Sequence, residues 1–242
     1  MNADHLFLPH GYNENLADDA DVEVDLAIPA YQVPTRTMRR YEDPVYRFAA
    51  RRSKRRATVL DLECGIGDNL VRRLARRGTR CVGVDGPDAI AAARGAFPDQ
   101  EWVVADVESQ ELWNEIGALA PDLVICAGVI ERVDDPIQLL VRLRGVLSPS
   151  SSLVLSTPDR ARIAYQPALG PPADPHHVRE WTQPELAQLI EAHGFAIRTH
   201  RHVLPCRYPR TVSEAMVVLS RAVRLRPLPG RRSTLVFELT RG

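Results

Sequence analysis

Cysteine, lysine and net charge are all scarce in this 242-residue sequence. The four cysteines lie far apart, with no C-x-x-C pair and no histidine at zinc spacing, which argues against a disulfide framework and a metal site. The 31 basic and 31 acidic residues cancel, so the chain lacks the overall positive field of proteins that bind nucleic acid through phosphate contacts. We therefore expect neither a metal nor a nucleic acid among its ligands.

Long apolar runs are absent as well. Residues 1–25 have neither the positive start nor the apolar stretch of a signal peptide, and no run approaches the ~18 apolar residues of a membrane span. We expect a cytoplasmic protein without an integral membrane segment. Since Lys54 is the single lysine, arginine carries nearly all the positive charge; a GC-rich genome explains this more simply than dedicated anion binding.

The sequence does contain enough apolar material for one large core, because 45% of its residues are apolar and 26% are charged. Residues 1–42 are acidic, punctuated by proline and weakly periodic, which predicts an N-terminal arm. Residues 43–242 form the predicted main domain, which begins with an amphipathic helix over 43–56. Two insertions interrupt it, at about 158–181 and 205–232.

The main domain alternates short β-branched runs with helical stretches. Strands are predicted at ATVLDL, RCVGVD, EWVVADV, PDLVICAG and SSLVLSTP, and helices at DNLVRRLARRG, PDAIAAARGAF and DPIQLLVRLRGVL. This order predicts an α/β fold with a parallel sheet that helices cover on both faces. A helix at TQPELAQLIEAHGF follows, with a capping box from Thr182 to Glu185 and a C-terminal Gly194, and then strands at FAIRTHRHVL and STLVFELT.

The sharpest motif is VLDLECGIGDNL, residues 59–70, in which a strand runs into a glycine turn and directly into a helix. Gly65 and Gly67 permit a positive φ and close approach of the backbone to a ligand, and the helix N-terminus favours a carboxylate or phosphate. A dinucleotide site requires G-x-G-x-x-G, but Leu70 stands where the third glycine belongs. The motif therefore disfavours a nicotinamide oxidoreductase.

With Asp61 four residues before Gly65, the motif resembles the D-x-G-C-G-x-G signature of class I S-adenosylmethionine-dependent methyltransferases, over about residues 58–195. The resemblance implies a Rossmann-like, doubly wound, mostly parallel seven-stranded sheet whose last strand is antiparallel. It implies S-adenosylmethionine as the cofactor, with Asp61 and the backbone from Cys64 to Gly67 at its methionine end. The implied activity is methyl transfer, and we expect oxygen of a small-molecule or carbohydrate-type acceptor to receive the methyl group.

The same resemblance assigns roles to the ends of the next strands. Asp85, which ends VGVD, would bind the ribose hydroxyls; capping of the following helix is its alternative role. Asp106 would face the adenine amino group, and the segment of Cys126 and Ala127 would pass beneath the sulfonium. The predicted cofactor-binding set is completed by the residues that follow the two aspartates, Gly86 and Val107.

Two residues depart from the family pattern. Glu63 stands where the family usually has its first glycine, and it either pairs with the ammonium of the cofactor or repels its carboxylate. In the second case the chain is a catalytically impaired, methyltransferase-like binding or regulatory protein. Arg132 replaces the histidine of an E-H pair, so chemistry assigned to that histidine does not transfer. Glu131 either lines the pocket or orders the loop.

The stretch ADPHHVREW is the candidate for binding the acceptor. Together with STPDR, it resembles a subgroup of these methyltransferases associated with glycan and surface-polysaccharide biosynthesis. A small-molecule or glycan acceptor is implied. A hydroxyl acceptor needs a base, for which His176 or His177 is the candidate, and Arg179 would hold an anionic group. A structural role for one histidine and for Arg179 is the alternative.

The second insertion, 205–232, is rich in arginine and contains an amphipathic helix with apolar positions between 215 and 222. Packing of this helix on the domain is the favoured interpretation, because apolar positions at helical spacing usually face a core. A lid, a membrane-surface contact and a dimer face are the alternatives, and the last of these would make the protein a homodimer.

Overall fold

A computed structural model describes residues 36–75, 78–162, 172, 176–203 and 234–242, with the side chains of 36–41 and 162 left out. The helices are α1 Arg36–Ala50, α2 Asp68–Arg73, α3 Pro87–Ala96, α4 Gln110–Ile116, α5 Pro136–Val146 and α6 Gln183–Ala192. The strands are β1 Thr58–Leu62, β2 Arg80–Asp85, β3 Glu101–Val104, β4 Leu123–Ala127, β5 Ser152–Pro158, β6 Phe195–Val203 and β7 Thr234–Arg241. Short 3-10 turns span Gly117–Leu119 and Arg160–Arg162.

The strands form one seven-stranded sheet in the order β3-β2-β1-β4-β5-β7-β6. The first five strands pair in parallel, and β7 runs antiparallel between β5 and β6. This confirms the predicted α/β architecture with an antiparallel last strand. Because β1 lies beside both β2 and β4, the order of connections reverses at β1, and ligands of open α/β sheets bind at such a reversal, outside the carboxyl ends of the strands.

Two apolar clusters cover the two faces of the sheet, as the continuous apolar strands predict. One contains side chains of α4, α5 and α6, including Leu112, Leu140 and Leu189. The other contains side chains of α1, α2 and α3, including Phe48 and Leu70. Burial on both faces holds the strands in register, so their carboxyl ends form one edge of the sheet.

Helix α1 differs in position from the predicted helix over 43–56. It already includes Arg36 and ends at Ala50, so part of the predicted N-terminal arm is helical. The expected buried side, with Val45 at 1% and Phe48 at 3% exposure, is confirmed. Pro44 is tolerated inside the helix, and the basic run after Ala50 forms a turn instead of the helix end.

Helix α4 was not predicted, because QELWNEI has too few apolar residues to show helical periodicity. Ser109 caps it by accepting a hydrogen bond from the Leu112 N–H. The predicted capping box at Thr182 and Glu185 is confirmed, and Gly194 follows α6 with φ 79°. Residues 1–35, residues 163–171 and 173–175 of the first insertion, and the helix expected at 215–222 lie outside the described residues.

Candidate functional site

The turn after β1 places three residues in the left-handed region of the backbone. Their φ angles are 54° for Glu63, 59° for Gly65 and 72° for Gly67. The positive φ predicted for the two glycines is confirmed, whereas Glu63 holds this conformation with a full side chain, which costs about 1–2 kcal/mol relative to the right-handed region. Gly67 leads directly into α2, so the turn and the start of the helix lie at the carboxyl edge of β1.

Trp102 on β3 explains two of the glycines near this turn. A Cβ atom at Gly67 would lie 2.0 Å from Cη2 of Trp102, and one at Gly83 would lie 2.4 Å from its Cζ3. Glycine is thus required at both positions by an indole ring of the protein itself. We had expected Gly67 to allow close approach of a ligand, and in the structure the group that approaches it is Trp102.

Asp85 joins the end of β2 to the turn after β1. Its Oδ2 accepts a hydrogen bond of 2.7 Å from the Gly65 N–H, and its Oδ1 accepts one of 2.7 Å from the Gly86 N–H. The residue is 1% exposed. Each carboxylate oxygen has a second lone pair, so Asp85 can hold the turn and still accept hydrogen bonds from a ligand.

Asp61, the residue before the last one of β1, is completely buried. Its Oδ2 accepts a hydrogen bond of 2.9 Å from the Tyr46 hydroxyl of α1, while its Oδ1 has no partner. Burial raises the pKa of Asp61 well above its ordinary value, Glu42 and Asp85 raise it further, and the Tyr46 bond opposes the rise. A buried acceptor without a donor is costly, so Oδ1 is suited to a donor that a ligand brings.

Changing Tyr46 to phenylalanine should lower the free energy of unfolding by about 2 kcal/mol, because it leaves Oδ2 of Asp61 without its donor in a buried place. Urea denaturation measures this change. We expect the effect to shrink in an Asp61→Asn background, where an amide replaces the carboxyl group that accepts the Tyr46 hydrogen bond. Equal effects in the two backgrounds would contradict the pairing.

Glu63 lies among charged groups from three other strand ends. Its partial burial and the neighbouring Asp85 raise the pKa of Glu63 to about 7; Arg132 opposes this rise and Asp106 adds to it. The carboxyl group is therefore poised to change its charge near neutral pH.

The ends of β3 and β4 differ in accessibility. Asp106 is exposed, and its Oδ1 accepts a hydrogen bond of 2.8 Å from the Glu108 N–H, whereas Val107 is buried and its carbonyl accepts the Trp113 indole N–H at 2.8 Å. Cys126 is 0% exposed, and burial raises the pKa of its thiol well above the ordinary value. The thiol of Cys126 is therefore not accessible to a ligand in this structure.

Glu131, His177 and Glu180 are all buried behind β4. Nδ1 of His177 lies 2.8 Å from Oε1 of Glu180, and the Glu131 carbonyl accepts hydrogen bonds from the N–H groups of Val178, at 2.8 Å, and Arg179, at 3.2 Å. Burial raises the pKa of Glu131, while His177 and Arg132 oppose the rise. This fastens the segment around His177 to the segment that follows β4.

The other candidates of this segment are arranged differently. His176 is exposed, and the Arg179 guanidinium lies 5.2 Å from the centre of the Trp181 ring. Sequence reasoning missed a further pair: Nε2 of His202 on β6 lies 2.7 Å from Oδ2 of the buried Asp159, just after β5. These two residues are 43 positions apart, and no local pattern connects them.

S-adenosylmethionine fits the residues at this edge. Its ammonium would be a donor for the unpartnered Oδ1 of Asp61, its ribose hydroxyls would be donors for Asp85, and the start of α2 after Gly67 would suit its carboxylate. Glu63 stands where the methyltransferase motif usually has glycine, and that motif gives no role for a carboxylate there. Among the described residues, no group of three or more His, Cys, Asp or Glu side chains is arranged to hold a metal ion.

A family model described as a methyltransferase domain matches residues 33–200. The chain belongs to this methyltransferase family. It is 30% identical, over 70% of its length and 63% of the relative's, to a probable S-adenosylmethionine-dependent methyltransferase of Mycolicibacterium smegmatis. It is 35% identical to the trans-aconitate 2-methyltransferase of Escherichia coli over 42% of its own length and 39% of that protein's.

A solved structure of a methyltransferase has the same fold as this chain. The 1,6-didemethyltoxoflavin-N1-methyltransferase of Burkholderia thailandensis, with bound S-adenosylhomocysteine, superposes with a TM-score of 0.57 at 21% identity, over 85% of this chain and 78% of that one. The chain spans less than two thirds of the length of the first of the two curated relatives and about two fifths of the second. Within the described residues, no helix is long and apolar enough to cross a membrane.

Proposed function

We propose that the protein transfers a methyl group from S-adenosylmethionine to oxygen of a small-molecule or carbohydrate-type acceptor. The observation that carries the cofactor assignment is the unpartnered, fully buried Oδ1 of Asp61 beside Asp85, at the point where the order of the sheet reverses. The family supports the reaction type, and the relatives named for S-adenosylmethionine support the donor.

The binding residues divide along the edge of the sheet. At the methionine end we place Asp61, Glu63 and the backbone of Cys64, Gly65 and Gly67, and at the ribose Asp85 and Gly86. At the adenine we place Asp106 and Val107, and beneath the reacting methyl group Cys126 and Ala127. Tyr46 positions Asp61 by binding its Oδ2, which leaves Oδ1 for the ligand.

When bound, S-adenosylmethionine supplies a methyl group already activated by the sulfonium, so the chain has to orient the acceptor, exclude water and accept a proton. Of the two candidate histidines, His176 is the exposed one and is the proposed base. His177 is buried against Glu180 and is proposed to position the segment instead. Arg179, beside Trp181, is proposed to hold an anionic group of the acceptor.

Two acceptor classes follow from different observations. The similarity to a trans-aconitate methyltransferase favours a small carboxylic acid, for which Arg179 is a suitable partner. The STPDR and ADPHHVREW stretches favour a glycan acceptor. A cytoplasmic location and a homodimer are further parts of the proposal.

The test is methyl transfer from S-adenosyl-[methyl-³H]methionine to a panel that contains trans-aconitate, other small carboxylic acids and sugar nucleotides. We expect label in at least one acceptor, and a loss of about 10²-fold or more in kcat for His176→Asn. His193→Asn, at the residue directly after α6, is the control and should leave kcat unchanged. Label that is retained in full by the His176 variant would remove the histidine from the mechanism.

The second candidate function is that of a binding or regulatory protein with an impaired donor site, and Glu63 is the observation that favours it. Its backbone adopts a left-handed conformation that suits glycine. Glu63→Gly distinguishes the two functions. If the native chain shows no affinity for S-adenosylmethionine in calorimetry and the variant gains it, the binding protein becomes the better description.

A further inference from the structure

Glu63 belongs to the residues proposed for the methionine end of the donor site. It follows β1, and its carboxyl group is influenced by Asp85 at the end of β2, by Asp106 beyond β3 and by Arg132 beyond β4. It also acts on the buried Cys126 thiol of β4. Since β1 lies between β2 and β4, residue 63 lies between the strand end proposed for the ribose and the strand end proposed for the reacting methyl group.

The charges around this position are mainly negative. Asp85 is buried at the end of β2 and Asp106 is exposed beyond β3, whereas Arg132 is an exposed cation beyond β4. A carboxylate is unfavourable there in the absence of a compensating positive charge, because burial and like charges both oppose its ionisation.

We propose that Glu63 makes the donor site selective for positive charge, so that the site binds the sulfonium form of the cofactor and releases the neutral thioether product. This inference rests on the proposed function. The two forms differ by one methyl group and one positive charge on sulfur; their amino, carboxylate, ribose and adenine groups are shared. The negative charge of Glu63 therefore acts on the feature that distinguishes them, the positive charge on sulfur.

The expected size follows from Coulomb's law. A carboxylate and a sulfonium that lie several ångströms apart in a partly solvated site change a binding constant by about tenfold. Selectivity of this kind favours turnover, because product that is held less tightly than substrate leaves the site free for the next donor.

Ionisation of Glu63 sets the pH range of the effect. Above a pH of about 7 the carboxylate is charged and the preference for the sulfonium form is present; as the pH falls through this value, the preference is lost. Asp85, Asp106 and Arg132 face the same carboxyl group, and all three are unchanged in a Glu63 variant. Comparison with that variant therefore isolates the contribution of Glu63.

The experiment is calorimetric titration of the full chain with S-adenosylmethionine and with S-adenosylhomocysteine at pH 6 and pH 8. The measured quantity is the ratio of the two Kd values. Both ligands carry the same amino group, so its contribution to binding cancels in this ratio. Variants Glu63→Gln and Glu63→Gly both remove the charge, and the second suits the φ of 54°, so it guards against misfolding. Glu191→Gln, an exposed carboxylate near the end of α6, is the matched control.

We expect the native chain and the Glu191 variant to favour the sulfonium form about tenfold more at pH 8 than either Glu63 variant does, and the gap to close at pH 6. Ratios that are equal in native and Glu63 variants at pH 8 would overturn the inference and leave the proposed function standing. If neither ligand binds to any of the proteins, the proposed function and the inference fail together.

Discussion

Asp85→Ala should abolish measurable binding of S-adenosylmethionine and lower the free energy of unfolding by about 2–6 kcal/mol. The reason is that one buried carboxylate accepts hydrogen bonds from the N–H groups of both Gly65 and Gly86. Its removal leaves two donors unpaired, at about 1–3 kcal/mol each, and releases the turn from the end of β2. Calorimetry measures the first effect and urea denaturation the second.

Asp88→Ala provides the control for this prediction. Asp88 is an exposed acid in the first turn of α3, three residues after Asp85. Its removal loses a favourable interaction with the helix dipole of about 0.3–1 kcal/mol. It breaks none of the buried hydrogen bonds that hold the turn. Comparable losses of stability in the two variants would show that the bonds of Asp85 do not hold the turn.

Gly67→Ala should be the most destabilising single change in the turn, at about 3 kcal/mol or more. Two effects add: a positive φ of 72°, which is unfavourable for alanine, and a Cβ atom 2.0 Å from the Trp102 ring. Gly78→Ala separates them, because Gly78 has φ +69° and no neighbouring atom within 4 Å of its Cβ. We expect a loss of only about 1–2 kcal/mol for Gly78→Ala.

A double-mutant cycle identifies Trp102 as the cause. Trp102→Leu alone should destabilise, since it removes a buried ring and its hydrogen bond to the Phe97 carbonyl. Combined with Gly67→Ala, the two changes should cost less than the sum of the single variants, because the smaller side chain leaves room for the new methyl group. Additive effects would assign the loss at Gly67 to the backbone alone.

The sheet was predictable because each central strand is a continuous apolar run bounded by polar residues. RCVGVD matches β2 residue for residue, and the predicted positions of β1, β4 and β5 are within two residues of the observed ends. Helix α4 was missed because its buried side consists of only three residues, Leu112, Trp113 and Ile116, and its signal is the Ser109 cap. Local periodicity predicts strands and long helices more reliably than it predicts a helix of two turns.

The site was predictable only where its residues are close in sequence. The turn from Glu63 to Gly67 and the acid that ends β2 follow from motif and strand order. The bonds that hold them do not: Tyr46 reaches Asp61 from α1, and Trp102 reaches Gly67 from β3. Such contacts depend on how elements pack, and one sequence contains no local signal for them.

The two hydrogen bonds that the Glu131 carbonyl accepts from Val178 and Arg179 connect the segment beneath the proposed methyl-transfer position to the segment proposed for the acceptor. If the donor and the acceptor bind at these two segments, a change in the position of Glu131 on binding of one of them alters the site of the other. The factor by which the donor then changes the affinity for the acceptor equals the factor by which the acceptor changes the affinity for the donor, since thermodynamic coupling is reciprocal. The backbone of one buried glutamate would thus link the two affinities.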